Sequence, residues 1–212
     1  MKKVLVIAVL FICQNVFCQE YHFDYFLEYE ISLTGSDIFM INSNNQDYVF
    51  YCYNNGKNLE GKIVDHKSNI AHHYSIKSVS NNLEFKYLYS EKKVLEKRPE
   101  VTEPEKYEVK KATVDSLNQS FEIIEFKNKK KKRVYQSASI NMTKIDFKPL
   151  PIILYGYFHH FAIGNLIDFP QGYIPSFIQI NFSNNRELKI KLIQNKKINI
   201  VLSLKPEEIK YN

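Results

Sequence analysis

Four short turn signals, Asn44-Asn45, Asn55-Gly56, Ser68-Asn69 and Asn81-Asn82, fall close together in the first half of the chain, each between strand-like runs. Asparagine tolerates the positive φ that two-residue hairpin loops demand. Read as such loops, the turns make the stretch an antiparallel meander of definite register. Cys52 then faces Leu59, Phe50 faces Gly61 and Tyr48 faces Ile63. The next turn sets Ile63 against Tyr74, Gly61 against Ile76 and Asp65 against His72. The last sets Ile76 against Tyr87 and Tyr74 against Tyr89, and the first adds Phe39 against Phe50 and Ile41 against Tyr48. All of these fall on one apolar face. A slip of one residue at any turn would send a strand's apolar set to the other side, so agreement across four turns supports the register. The misfit is Lys77 opposite Lys86, a like-charge pair.

Upstream, Phe23, Tyr25, Leu27, Tyr29, Ile31 and Leu33 alternate with Asp24, Phe26, Glu28, Glu30 and Ser32, as a half-buried strand requires. The composition points the same way: 15 Tyr and 15 Phe stand against six Gly in 212 residues, with 44% hydrophobic residues. Such a chain is neither disordered nor collagenous nor a coiled coil, and its aromatic and β-branched content favours strands. Residues 91–111, rich in Glu, Lys and Pro, read as a long surface excursion. Residues 120–126 and 133–142 form a further hairpin with a basic tip. Three-residue loops at 183–185 and 195–197 pair Ile178 and Ile180 with Ile190 and Leu188, and then Leu192 and Ile190 with Ile200 and Leu202. Between them, residues 150–162 are apolar on nearly every side, follow Pro149 and precede Gly164, and read as a buried helix. The expected fold is therefore mainly β: a single curved antiparallel sheet or half-barrel of about ten strands, with one apolar helix packed on it.

Residues 1–18 have the order of a secretory signal peptide, with Lys2 and Lys3, then the apolar run 4–13, then a polar end. The run is too short to span a membrane. Cleavage after Cys18 would leave one β-rich domain, 19–212, exported to the periplasm or beyond. Ile12 and Phe17 precede Cys13 and Cys18 where a lipoprotein signal needs a small residue. The mature chain keeps 27 basic and 23 acidic residues, a net +4, and one cysteine, so its core must hold without an intrachain disulfide.

Asp65 and His72, opposite each other at the rim of the apolar face and in a row with Gln46 and Glu91, are the first candidate site. A carboxylate that orients an imidazole is half of a hydrolase triad or a metal second shell. His159 or His160 would have to meet His72 in space to extend it. Neighbouring histidines on a strand point to opposite faces, so His72-His73 supplies one ligand at most, and no zinc spacing is present. Cys52 reads as a small core hydrophobe. The tip at 127–133, with Lys129, Lys130, Lys131, Lys132 and Arg133, carries six positive charges and suits an anionic surface. Without interleaved aromatics it does not suggest nucleic acid. The remaining aromatics suggest a ligand cavity lined by Phe39, Phe50, Ile63, Tyr74, Tyr87 and Tyr89 below the helix residues Leu154 and Phe158.

The leader ending near Gln19, the Asn-, Lys- and Ile-rich composition and the Tyr-rich strand 21–29 resemble small secreted proteins of Bacteroidota-type bacteria. The apolar segment followed by Phe169-Pro170 and the paired strands up to Leu204-Lys205-Pro206 is similar in layout to periplasmic lipoprotein carriers of the LolA type. That resemblance implies a curved sheet whose concave apolar face, covered by helices, holds acyl chains. The leading expectation is a non-enzymatic exported protein that binds an apolar small molecule or acyl chain, with no cofactor. A hydrolase or metal enzyme around Asp65 and His72, and an envelope interaction protein without a pocket, are the alternatives.

Overall fold

The computed structural model describes residues 19–54, 59–79, 82–92, 103–113, 117–147 and 172–204. Within them the chain forms eleven strands. These are β1 (Gln19–Ile31), β2 (Gly35–Ile41), β3 (Tyr48–Asn54), β4 (Leu59–Asp65), β5 (Ile70–Val79), β6 (Asn82–Lys92), β7 (Tyr107–Thr113), β8 (Asn118–Phe126), β9 (Val134–Lys144), β10 (Tyr173–Asn181) and β11 (Glu187–Leu204). All belong to one antiparallel sheet in the order β6-β5-β4-β3-β2-β1-β11-β10-β9-β8-β7. Two meanders thus run outward from a central seam in which β1 pairs with β11, Gln19 opposite Leu204 at one end and Ile31 opposite Ile190 at the other.

The expected sheet of about ten strands with a helix packed on it is corrected. Apart from a 3-10 turn at Pro104–Lys106, the described residues contain no helix, and residues 150–162 lie outside them, as does the expected leader. A short apolar run carries no periodicity that separates helix from strand. The charged stretch 91–111 also yields more order than expected, since β7 pairs with β8 along its whole length as the edge of the sheet. The turn expected at 195–197 does not form. β11 runs through it and sets Asn195, Lys196 and Lys197 opposite Leu27, Phe26 and Tyr25, because continuous pairing with β1 outweighs the local turn preference of Asn195. The pairing of Ile178 with Ile190 and Ile180 with Leu188 is as expected.

In the first meander the registers differ from the expected ones by two residues at three turns. Cys52 lies opposite Gly61, Phe50 opposite Ile63, Ile63 opposite His72, Gly61 opposite Tyr74 and Tyr74 opposite Tyr87. The β3–β4 and β4–β5 turns are longer than assumed, whereas the β5–β6 connection keeps two residues and is displaced, with Val79 opposite Asn82. The β4–β5 turn shows how a longer loop is held. Asp65 accepts hydrogen bonds from the Ser68 amide at 2.8 Å and the Ser68 hydroxyl at 3.0 Å, and Asn69 takes the left-handed conformation at φ 55°. This aspartate-capped loop occupies 66–69. An even shift leaves each side chain on its own face, and it replaces the Lys77–Lys86 clash by Lys77 opposite Glu84. A bulge between His73 and Tyr74, however, sets Tyr89 opposite His73, so Tyr89 leaves the face on which it was expected beside Tyr74.

At the β2–β3 turn the difference is odd, and the faces exchange. Phe39 lies opposite Tyr51 and Ile41 opposite Val49, while Ile38 and Met40 take the positions beside Cys52 and Phe50. Asn42 accepts from the amides of Asn44 and Asn45, each at 2.9 Å, which lengthens the connection to residues 42–47. Phe39 therefore leaves the face of Phe50, Ile63 and Tyr74.

A second local irregularity divides β1. Its register against β11 shifts between Phe23 and Tyr25, where Asp24 turns aside to accept from the Ser43 amide at 2.7 Å. Such a bulge reverses the alternation. Tyr21 and Phe23 pack with Phe26, Met40, Phe50, Ile63, Tyr74 and Ile76 in one buried cluster; Tyr25, Leu27 and Tyr29 join Phe39, Ile41, Val49, Ile123, Ile140, Ile178 and Ile190 in another. The sheet thus has two buried apolar faces, where the sequence suggested one.

Candidate functional site

Asp65 and His72 do not face each other. Tyr21, brought over them by the first half of β1, joins the two: its hydroxyl donates to Asp65 Oδ2 at 3.1 Å and stands 2.8 Å from His72 Nε2. On the other side His72 Nδ1 lies 2.5 Å from Ser90 Oγ, which lies 2.8 Å from the Tyr87 hydroxyl. One polarity satisfies the whole chain. Tyr87 donates to Ser90, Ser90 donates to Nδ1, Nε2–H donates to Tyr21 and Tyr21 donates to Asp65, with the imidazole neutral. Burial favours the same state, pulling the His72 pKa down from 6.5 to about 4 against the opposing pull of Asp65, while burial and Asp65 together raise that of Tyr21.

A serine donating to an imidazole is the first step of nucleophile activation. Here Ser90 and His72 are 0% exposed and Asp65 6%, so nothing outside reaches the hydroxyl without moving the core. What the arrangement does as it stands is clasp β1, β4, β5 and β6 together through side chains whose hydrogen bonds are made within the protein. Glu91 bonds to His73 Nε2 at 2.9 Å, on the opposite side of β5 from His72. His159 and His160 lie outside the described residues, among which no cluster of three or more His, Cys, Asp or Glu could hold a metal.

Of the residues expected to line a cavity, Phe50, Ile63 and Tyr74 are packed into the second cluster, with Phe50 at 6.0 Å from the Tyr74 ring and 5.5 Å from Phe85. Tyr87 packs at its margin, Tyr89 stacks on His73 at 4.5 Å, and Leu154 and Phe158 lie outside the described residues. Cys52 is 2% exposed, and burial followed by the nearby Asp37 charge pushes its thiol up to about 12. Cys52 is therefore expected to stay unmodified by a thiol reagent such as iodoacetamide at pH 8 while the protein is folded, and to react fully in denaturant. Intact-mass measurement before and after unfolding checks this, and stoichiometric labelling of the folded form would contradict it.

A groove of about 540 Å³ opens where the β1–β11 seam meets the end of β9, lined by Tyr25, Leu117, Lys144, Ile145, Asp146, Asn195, Lys196 and Lys197. Its inner end is apolar: Tyr25 belongs to the first cluster and Ile145 packs against it. Its rim is basic. Lys197 Nζ sits 5.7 Å over the Tyr25 ring, and Asp146 accepts from Tyr25 at 2.5 Å and pairs with Lys197 at 3.4 Å. Lys196 borders the groove, but its Nζ sits 4.7 Å over the Phe26 ring, on the other face. The Tyr25 hydrogen bond holds the Asp146 carboxyl below its ordinary range. The reading of 195–197 as a turn concealed this site, since it removed Lys196 and Lys197 from the strand that carries them past Tyr25.

The basic tip joins β8 to β9, next to the edge strand β7, and residues 127–135 are all exposed. Lys129 pairs with Glu105, and Lys131 Nζ donates to the Tyr107 carbonyl at 3.1 Å.

No family model matches the chain, and no curated protein does. Among solved structures, a LolA-superfamily protein from Nitrosomonas europaea aligns over 86% of this chain and 87% of that one, at 8% identity and a TM-score of 0.15.

Proposed function

We propose that the protein is exported and binds an amphiphile with an apolar chain, in the groove beside Tyr25. The observation that carries this reading is the groove's polarity. Its floor continues into a buried apolar cluster at Tyr25 and Ile145, Leu117 forms a wall, and Lys144 and Lys197 stand at the rim. An acyl chain would lie on the floor and an acidic head would meet the lysines, each part finding the surface that suits it. A volume of about 540 Å³ is within the range of small-ligand sites. The charged, apolar, then polar order of residues 1–18 supports export.

Delipidated protein titrated with a fluorescent fatty acid tests the reading. Saturable binding is expected, weakened about tenfold or more in Leu117→Asp, where a charge meets the chain. Leu117 is 58% exposed, so the substitution leaves the core intact. Folded protein that takes up no probe, or a variant that binds as the parent does, would overturn the proposal.

A further inference from the structure

The hairpin tip between β8 and β9 carries the densest run of positive charge in the sequence, with six basic residues and no acid over 127–133. Local structure accounts for part of it. Lys129 meets Glu105, and Lys131 lies over the Phe126 ring at 5.7 Å and donates to Tyr107. Lys127, Lys130, Lys132 and Arg133 extend the positive charge beyond those contacts, all of them exposed.

Two further observations bear on what the surface meets. The turn closes through Lys131 N–H to the Asn128 carbonyl at 3.0 Å, with Lys131 itself at φ 51°. That conformation favours glycine or asparagine, yet the position carries a charge instead. Next to the basic run, Val134 and Tyr135 are 54% and 43% exposed. The register shift between Glu125 and Phe126 explains why consecutive residues both reach solvent: Val134 pairs with Phe126 and Gln136 with Glu125, leaving Tyr135 as the extra residue of a bulge.

A soluble polyanion would use the lysines alone. A bilayer takes up both parts, the cations at acidic headgroups and the aliphatic and aromatic side chains at the interface below them. We propose that the β8–β9 tip docks on an anionic lipid membrane, with Lys127, Lys130, Lys132 and Arg133 against the headgroups and Val134 and Tyr135 entering the interface.

The test is sedimentation of the full-length protein with vesicles of phosphatidylcholine, with and without phosphatidylglycerol. Binding is expected only to the anionic vesicles and is expected to weaken with salt. Each basic residue contributes roughly fivefold, so K130Q/K132Q/R133Q should lose about a hundredfold in partitioning. V134S/Y135S should bind more weakly with its salt dependence unchanged. Circular dichroism identical to the parent confirms that both exposed variants fold. Equal binding to neutral vesicles, or a triple variant that binds as the parent does, would overturn the proposal. So would heparin binding as tight as vesicle binding and indifferent to Val134 and Tyr135, which would identify a polyanion site instead.

Discussion

Acidification from pH 6.5 to 4 is expected to remove about 3 kcal/mol from the unfolding free energy through one side chain, His72. In the unfolded chain this imidazole takes up a proton below its ordinary pKa of 6.5; in the folded protein burial delays that to about 4. Between the two values the unfolded state binds more protons, so stability falls as pH falls and levels off below about 4. Protonation would also place a hydrogen on Nδ1, against the Ser90 hydroxyl that now donates to it. Ser90 and Tyr87 would have to reverse or break their hydrogen bonds, while the links from Nε2–H through Tyr21 to Asp65 would stand. Urea unfolding of the parent and of His72→Gln at pH 7, 6, 5 and 4.5 checks this. The parent curve should descend more steeply, and parallel curves would contradict the assignment.

Gly61→Ala is expected to cost roughly 1–3 kcal/mol despite adding one methyl group. A Cβ at Gly61 would overlap the Phe50 ring and approach Ile76 Cδ1 to 2.8 Å. Phe50 is 1% exposed and wedged among Phe23, Tyr74 and Phe85, so its ring has nowhere to retreat. The cause is steric and local, and it leads to a double-mutant prediction. In a Phe50→Leu background the same Gly61→Ala change should cost less than about 1 kcal/mol, because the smaller side chain vacates the space. Thermal or denaturant unfolding of the four proteins measures the coupling. Additive effects would show that the glycine serves some purpose other than accommodating the ring.

Much of the sheet is legible in local sequence. Alternation identifies β1, and the runs between the Asn-containing turns identify β3 to β6, with Phe50, Ile63, Tyr74 and Ile76 on one side. That face survives registers different by two residues because the side-chain period of a strand is itself two. Turn length is less legible. Whether Asp65 caps a four-residue loop, or Asn42 a longer one, depends on side-chain hydrogen bonds that a turn dipeptide does not reveal. At β2 this sends Phe39 to the other face. The candidate pair is half legible: Asp65 and His72 share a face, but their connection runs through Tyr21, more than forty residues before Asp65 in the chain.

Period-two patterning, the Asn-rich turns and the lysine-rich tip are properties of neighbouring residues, and the sequence by itself determines them: a β-rich chain, the inner face of the first meander and the place of its strongest charge. The tertiary structure decides what depends on distant pairing. The β1–β11 seam suppresses the turn at 195–197 and carries Lys196 and Lys197 to the groove. The bulge at Asp24 divides one apparent stripe between two buried clusters and brings Tyr21 onto His72. Backbone pairing between the two ends of a chain leaves no periodic trace in either end, and a single extra residue reverses a pattern whose period is two.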